Sequence, residues 1–321
     1  MTADATARRS EKRPMGKGPN RREQLIRAGF RIGSAVAPRH AGKLAFRLFC
    51  TPPGRRTLSS GEARIAERMA PLLARADRRN IPFDGGTVAT YGWTTEAERP
   101  GRGRVLLVHG WSGRALVMTA FAEPLLKQGF DVVALDLPGH GESGGKLLNL
   151  PLGARAVQAA AEAYGGITGV IAHSFGGPVS VLAAEGGPPL ATAMAVERLV
   201  LIASPNSIAV VSRRFADRVG LSEAARAVFE TEILRVARRP ASAFVVGEFL
   251  ARIGKPALIV HDEGDQDVPF VRAEEIIAAA PRSQLLKTTG VGHRRIVVAP
   301  QVIKAATRFI TASTSGASRL N

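Results

Sequence analysis

GVIAHSFGGPVSVLAAE, residues Gly169 to Glu185, changes character at one corner. The apolar run Val170–Ala172 reads as a short buried strand that stops at His173, and a helix-compatible stretch follows from Phe175. Ser174 sits between the two. A strand turning this sharply into a helix holds the corner side chain out at the sheet edge on strained backbone. The turn is tolerated only where the residues two before and two after are small. Here those are Ala172 and Gly176, so Ser174 is the candidate nucleophile. Phe175 would open the helix, and its unpaired backbone N–H could meet a developing oxyanion.

A literal G-x-S-x-G string lies elsewhere, at Gly141-Glu142-Ser143-Gly144-Gly145. Ser143 is separated from the preceding strand by Leu137-Pro138-Gly139-His140, and Lys146–Pro151 is a poor helix opening. The same loop spells G-x-G-x-x-G at Gly139, Gly141 and Gly144. A dinucleotide site needs that pattern on a tight strand-turn-helix, with the helix N-terminus facing the pyrophosphate. Pro138 and the missing helix make this a structural loop instead.

A serine hydroxyl needs a base to take its proton. Of the six histidines, His293 lies in the glycine-rich turn TTGVGHRRI after the strand Gln284-Leu285-Leu286, which suits a base delivered on a loop. His109 and His261 end strands, His140 lies in the PGHGESGG loop, His173 precedes the serine, and His40 falls in the basic N-terminal region. The base in turn needs a carboxylate to fix its tautomer. The strand Ala257–Val260 ends in HDEGDQDVPF, which offers Asp262, Glu263, Asp265 and Asp267.

Near-continuous apolar strands are expected at Thr87–Tyr91, Arg104–His109, Phe130–Asp136, Val170–His173, Arg198–Ala203, Pro256–His261 and Ser283–Thr288. Helical patterns lie between most of them, around Ala115–Lys127, Gly153–Ala163, Phe175–Ala184, Ala273–Ala279 and Val297–Thr311. This alternation predicts an α/β fold: a mostly parallel central sheet with helices on both faces. Residues 206–254 interrupt it for 49 positions, far longer than an ordinary connection. Within them Phe215 and Val219 share one helical face, and Phe229, Ile233 and Val236 another.

Five motifs in order resemble the α/β-hydrolase family: VLLVHGWSG (Val105 to Gly113), DLPGHGESGG (Asp136 to Gly145), AHSFGG (Ala172 to Gly177), HDEGDQDVP (His261 to Pro269) and GVGHRR (Gly290 to Arg295). The likeness runs from about Thr87 to Ile310. It implies a Ser174, Asp265, His293 triad in the family's chain order. The acid falls in the family's G-x-D position, Gly264-Asp265, which favours Asp265 over Asp267. The backbone N–H of Trp111, beside that of Phe175, is implied as the second oxyanion donor. By the same resemblance the hydrolase domain spans 48–321, and 206–254 is a helical cap inserted over the active site. Relatives that cut carbon–halogen bonds or open epoxides carry aspartate at the corner. A serine there points to acyl transfer: a carboxylesterase acting on a small-molecule ester or thioester. Acyltransfer by the same residues, or a non-catalytic ligand-binding protein on the same fold, are the alternatives.

Composition sets the remaining bounds. An apolar content of 45% over 321 residues suits a globular chain with a large core. One cysteine, Cys50, excludes an internal disulfide framework, and the histidines lack metal-ligand spacing, so neither a metal nor a cofactor is expected. Residues 1–47 form a basic extension with twelve Lys and Arg against three acidic residues, within a chain of net charge +17. Its first twenty residues read as disordered. Glu23–Ala37 suits a short amphipathic helix that packs on the body, touches anionic lipid at a membrane surface, or meets nucleic acid by charge without specificity. No secretory signal and no run long enough to span a bilayer is present, which makes the cytoplasm the expected location.

Overall fold

The computed structural model describes residues 21–53, 60–97 and 101–312. The first twenty residues, expected to be disordered, lie outside the described residues. Eight strands form one sheet: β1 (Asp77–Phe83), β2 (Gly86–Trp93), β3 (Arg104–Val108), β4 (Asp131–Leu135), β5 (Gly169–His173), β6 (Arg198–Ile202), β7 (Ala257–Asp262) and β8 (Ser283–Thr288). Their spatial order is β1-β2-β4-β3-β5-β6-β7-β8. The two outer pairings, β1 with β2 and β2 with β4, are antiparallel, and every other pairing is parallel.

Among the described residues, thirteen helices accompany the sheet. Three precede it: α1 (Arg21–Val36), α2 (Pro38–Phe49) and α3 (Ser60–Ala74). Then come α4 (Ala115–Met118), α5 (Ala122–Leu126), α6 (Leu150–Ala163) and α7 (Gly176–Glu185). The long interruption supplies α8 (Ile208–Val219), α9 (Glu223–Ala237) and α10 (Val246–Ile253), and the chain closes with α11 (Val271–Ala279), α12 (Gly292–Arg295) and α13 (Pro300–Thr311).

The central strands are apolar through their middles because both faces are covered, and successive side chains divide between them. Leu106, Val108, Val170, Ala172, Leu199, Leu201 and Ile259 enter one core, with α6, α7 and α10. Val105, Leu107, Ile171, Val200, Ile202 and Val260 enter the other, with α4, α5 and α13.

α2 and α3 were not expected, and α6 opens at Leu150, capped by Asn149, inside the stretch read as a poor helix opening. Three further elements differ from the sequence reading. β1 was not expected; its sequence DRRNIPF is largely exposed at the sheet edge and its apolar alternation is confined to Ile81 and Phe83. The stretch read as one helix at Ala115–Lys127 is α4, a 3-10 turn at Thr119–Phe121, and α5. The Val297–Thr311 pattern begins as a 3-10 turn, Ile296–Val298, and α13 starts only at Pro300, where a proline at the first helical position costs no hydrogen bond.

Segment 206–254 divides in two. α10 packs against α7 and α11 on the sheet body, whereas α9 packs against α2, and α8 against α1 and α2. Ser207 and Ser222 cap α8 and α9 by accepting the Val210 and Ala225 N–H groups. Phe49 joins these helices, with ring centroids 5.1 Å from Phe215 and 5.5 Å from Phe229. α2 runs through position 47, so residues 21–49 and the α8–α9 part of the insertion share one packed unit.

Candidate active site

β5 hands over to α7 through Ser174, whose φ of +51° puts a non-glycine residue in the left-handed region. Such strain persists only where the surroundings fix it, and it gathers at functional sites. Here the Ser174 N–H donates to the Ile202 carbonyl at 2.8 Å, and the Gly177 N–H donates to the Ser174 carbonyl at 2.9 Å. Gly176 has to be glycine: a Cβ there would lie 2.6 Å from the His109 carbonyl oxygen and 2.7 Å from that of Val108. Gly110 permits the opposing loop to close in, since its Cβ would fall 2.6 Å from Ser174 Cβ.

His293 reaches the corner from α12, after Gly290 and Gly292 turn the chain with φ of +77° and +67°. Its Nε2 lies 3.0 Å from Ser174 Oγ, and its Nδ1 lies 2.7 Å from Asp265 Oδ2. A carboxylate only accepts, so Nδ1 carries the proton and the Nε2 lone pair faces the hydroxyl. The other Asp265 oxygen accepts the Asp267 and Val268 N–H groups, both at 2.8 Å. Burial pushes the Asp265 carboxyl up, but hydrogen bonds from His261 and His293 and from the Val268 N–H outweigh it and hold it far below the ordinary carboxylate range.

The other carboxylates of this loop have other tasks. Asp262 ties the two loops together: Oδ2 accepts from Thr288 Oγ1 and the Val291 N–H, each at 3.0 Å. Glu263 meets Thr289 Oγ1, and Asp267 is solvated, with Arg294 at 3.9 Å.

Three histidines that the sequence reading set aside as bases hold the site together. His173 donates from Nε2 to the His293 carbonyl at 2.8 Å, and the ring centroids are 5.0 Å apart. His109 accepts the Leu137 N–H at Nε2 and donates from Nδ1 to the Gly110 carbonyl at 2.7 Å. His140 accepts the Ser112 N–H at Nε2 and donates from Nδ1 to Pro138. The last two therefore fix the Gly110–Gly113 loop from beneath. The available signal was topological: each of these residues lies at or just beyond a parallel strand's carboxyl end, where the loops of such a sheet converge.

Trp111 sits half-buried on that loop, edge-on to Phe175 at 5.7 Å and to His140 at 5.8 Å. Among the described residues, neither the Trp111 nor the Phe175 backbone N–H has a hydrogen-bond partner. Ser143 lies apart, donating from Oγ to the Asp136 carbonyl and accepting the Ala89 N–H. It is a structural hydroxyl.

Ser174, His293 and Trp111 open on a cleft of about 1940 Å³. The cleft continues along α3 and α13, and Arg218 is the one residue of segment 206–254 in its wall. Among the described residues no group of three or more His, Cys, Asp or Glu could hold a metal ion.

A family model described as the alpha/beta hydrolase family matches residues 105–306, well over half of the chain. No curated protein sequence matches. Among solved structures, a bacterial membrane phospholipase A is 20% identical over 77% of this chain and 91% of its own, with a TM-score of 0.55. Est1E from Butyrivibrio proteoclasticus, solved with ferulic acid bound, is 20% identical over 73% and 96%, with a TM-score of 0.55. An esterase from Pyrococcus furiosus is 18% identical over 81% and 95%, also at 0.55. At such identities the likeness is one of fold.

Proposed function

The chain belongs to the alpha/beta hydrolase family, and from that premise we propose that it is a serine hydrolase of carboxylesterase type. It cleaves an ester or thioester of a small to medium acyl substrate through an acyl-enzyme. The observation that carries this reading is the unbroken hydrogen-bond chain from Ser174 Oγ through His293 to a buried, ionised Asp265.

His293 Nε2 takes the Ser174 proton as Oγ bonds to the carbonyl carbon. Charge then moves to the carbonyl oxygen, toward the unpaired Trp111 and Phe175 N–H groups. Fixed donors placed in this way act without reorganising, and losing one costs about 10²- to 10³-fold in kcat. Asp265 stabilises the imidazolium formed at this stage. His293 then protonates the departing alcohol or thiol as the carbon–oxygen or carbon–sulfur bond breaks. In the second half His293 takes a proton from water, hydroxide adds to the acyl carbon, and Ser174 leaves with its proton restored. Structures of similar fold include an esterase and a thioesterase domain, which accords with this substrate class.

A fluorophosphonate probe and a series of p-nitrophenyl esters and acyl-CoAs test the assignment. The wild type is expected to label and turn over. Ser174→Ala should do neither while keeping its fold, losing several orders of magnitude in kcat. Ser143→Ala should still label. A labelled, active Ser174→Ala protein would refute the nucleophile, and a wild type that neither labels nor turns over would favour a ligand-binding role.

A further inference from the structure

Eight large hydrophobic side chains of the described residues stand out as exposed, and five of them lie on α1 and α2: Leu25, Ile32, Val36, Leu44 and Leu48. Their spacing is not random. Leu25, Ile32 and Val36 are separated by seven and four residues, which puts them on one face of α1. They are 74%, 68% and 81% exposed. The face that packs inward is a different one, through Ile26, Phe30 and Ser34. α1 thus satisfies its core contacts with one stripe and shows a second apolar stripe to solvent.

Charge surrounds this stripe. Residues 21–49 hold seven Lys and Arg against a single acid, Glu23. Arg21, four residues before Leu25, and Arg47, three after Leu44, are exposed beside the apolar positions. A helix with an apolar stripe flanked by cations fits the boundary between acyl chains and anionic headgroups, and both terms favour the same placement. No helix of the described residues is long and apolar enough to cross a membrane.

We propose that α1 and α2 form a docking face for the surface of an anionic lipid bilayer. Charge selects this occupant over two others. A second copy would bring the same excess of cations against itself. The chain's own first twenty residues hold five basic and two acidic residues, so they too would be repelled. The placement also bears on the cleft: α1 packs on α8, whose Arg218 lines it, and Pro53 just beyond α2 lines it as well.

Flotation of the full-length protein with vesicles tests the proposal. It should partition onto phosphatidylcholine–phosphatidylglycerol vesicles, weakly onto phosphatidylcholine alone, and less as salt rises. Leu25→Ser/Ile32→Ser/Val36→Ser should lower partitioning by roughly tenfold or more, since most of the apolar contact is removed. Circular dichroism and turnover of a soluble ester should stay unchanged, which keeps this test separate from that of the active site. Arg21→Ser/Arg47→Ser should weaken binding to the anionic vesicles only. The proposal is overturned if the wild type does not partition, or if the triple variant partitions as well as the wild type. It is equally overturned if light scattering finds a dimer that the triple variant dissociates, because the stripe is then a subunit contact.

Discussion

Asp265 and Asp267 stand two positions apart on one loop in opposite surroundings. Asp265 is buried, receives two backbone N–H groups and reaches His293 Nδ1 at 2.7 Å. Asp267 keeps more than half of its side chain in water. Under the proposed mechanism only the first can hold the imidazole in the working tautomer. Asp265→Asn should therefore lose about 10⁴-fold in kcat, as tautomer reversal does elsewhere, while Asp267→Asn keeps most of its rate. Steady-state kinetics on one ester decide it, and comparable small losses in both would remove the acid from this loop. The residues alone left this choice open. HDEGDQD offers four carboxylates of similar local character, and what separates them, burial and donated N–H groups, depends on how the loop folds back on itself. The strand-to-helix corner at Ser174 was readable from sequence because its requirement is local: small neighbours on either side. The bracing by His109, His140 and His173 was not, since each bond joins segments that only the sheet brings together.

Packing between elements reverses an ordinary expectation at Gly42. Glycine inside a helix usually costs about 0.5–1 kcal/mol relative to alanine. In α2, however, a Cβ at Gly42 would meet the Ala225 carbonyl oxygen and the Val228 side chain of α9 at 2.5 and 2.7 Å. Gly42→Ala should thus destabilise, by about 1–3 kcal/mol if the helices separate as an overpacked core does. Cys50, at the end of α2, supplies the readout. It is 2% exposed, and burial pushes its thiol up to about 12. A disulfide reagent at pH 8 should leave the folded wild type unmodified, modify it fully in denaturant, and react faster with Gly42→Ala. Rapid labelling of the native wild type would mean that α2 is not docked as described. The sequence reading found a helix near α1 but not α2, nor the pairing of α2 with α9. It read the strands buried on both faces, whose apolar runs need no partner to be recognised. It missed β1, whose ladder to β2 runs along seven residues while only Ile81 and Phe83 pack on the core.

The whole molecule gathers five of its histidines, His109, His140, His173, His261 and His293, at the carboxyl edge of one sheet. Burial, then the neighbouring His293, lowers His173 to about 3, and burial, then His140, lowers His109 to about 4, so these two rings are kept neutral there. In the unfolded chain both would titrate near 6.5. Below that pH the unfolded state binds protons that the native state refuses, so stability falls as pH falls. The window runs from about 6.5 down toward the native values, and each histidine contributes up to about 1.4 kcal/mol per pH unit. Asp265 acts in a lower window. Its native carboxyl is depressed, so its contribution is complete above the unfolded value near 3.9 and is lost only on further acidification. Between pH 6 and 4.5 the histidines therefore dominate the slope. Urea unfolding across that range should show stability declining steadily toward acid. In His173→Gln, which keeps an N–H donor without the titration, the slope should drop by about one proton, or about 1.4 kcal/mol per pH unit. A wild-type stability that is level from pH 7 to 4.5, or a variant with the same slope, would show that these rings are not held neutral by the fold.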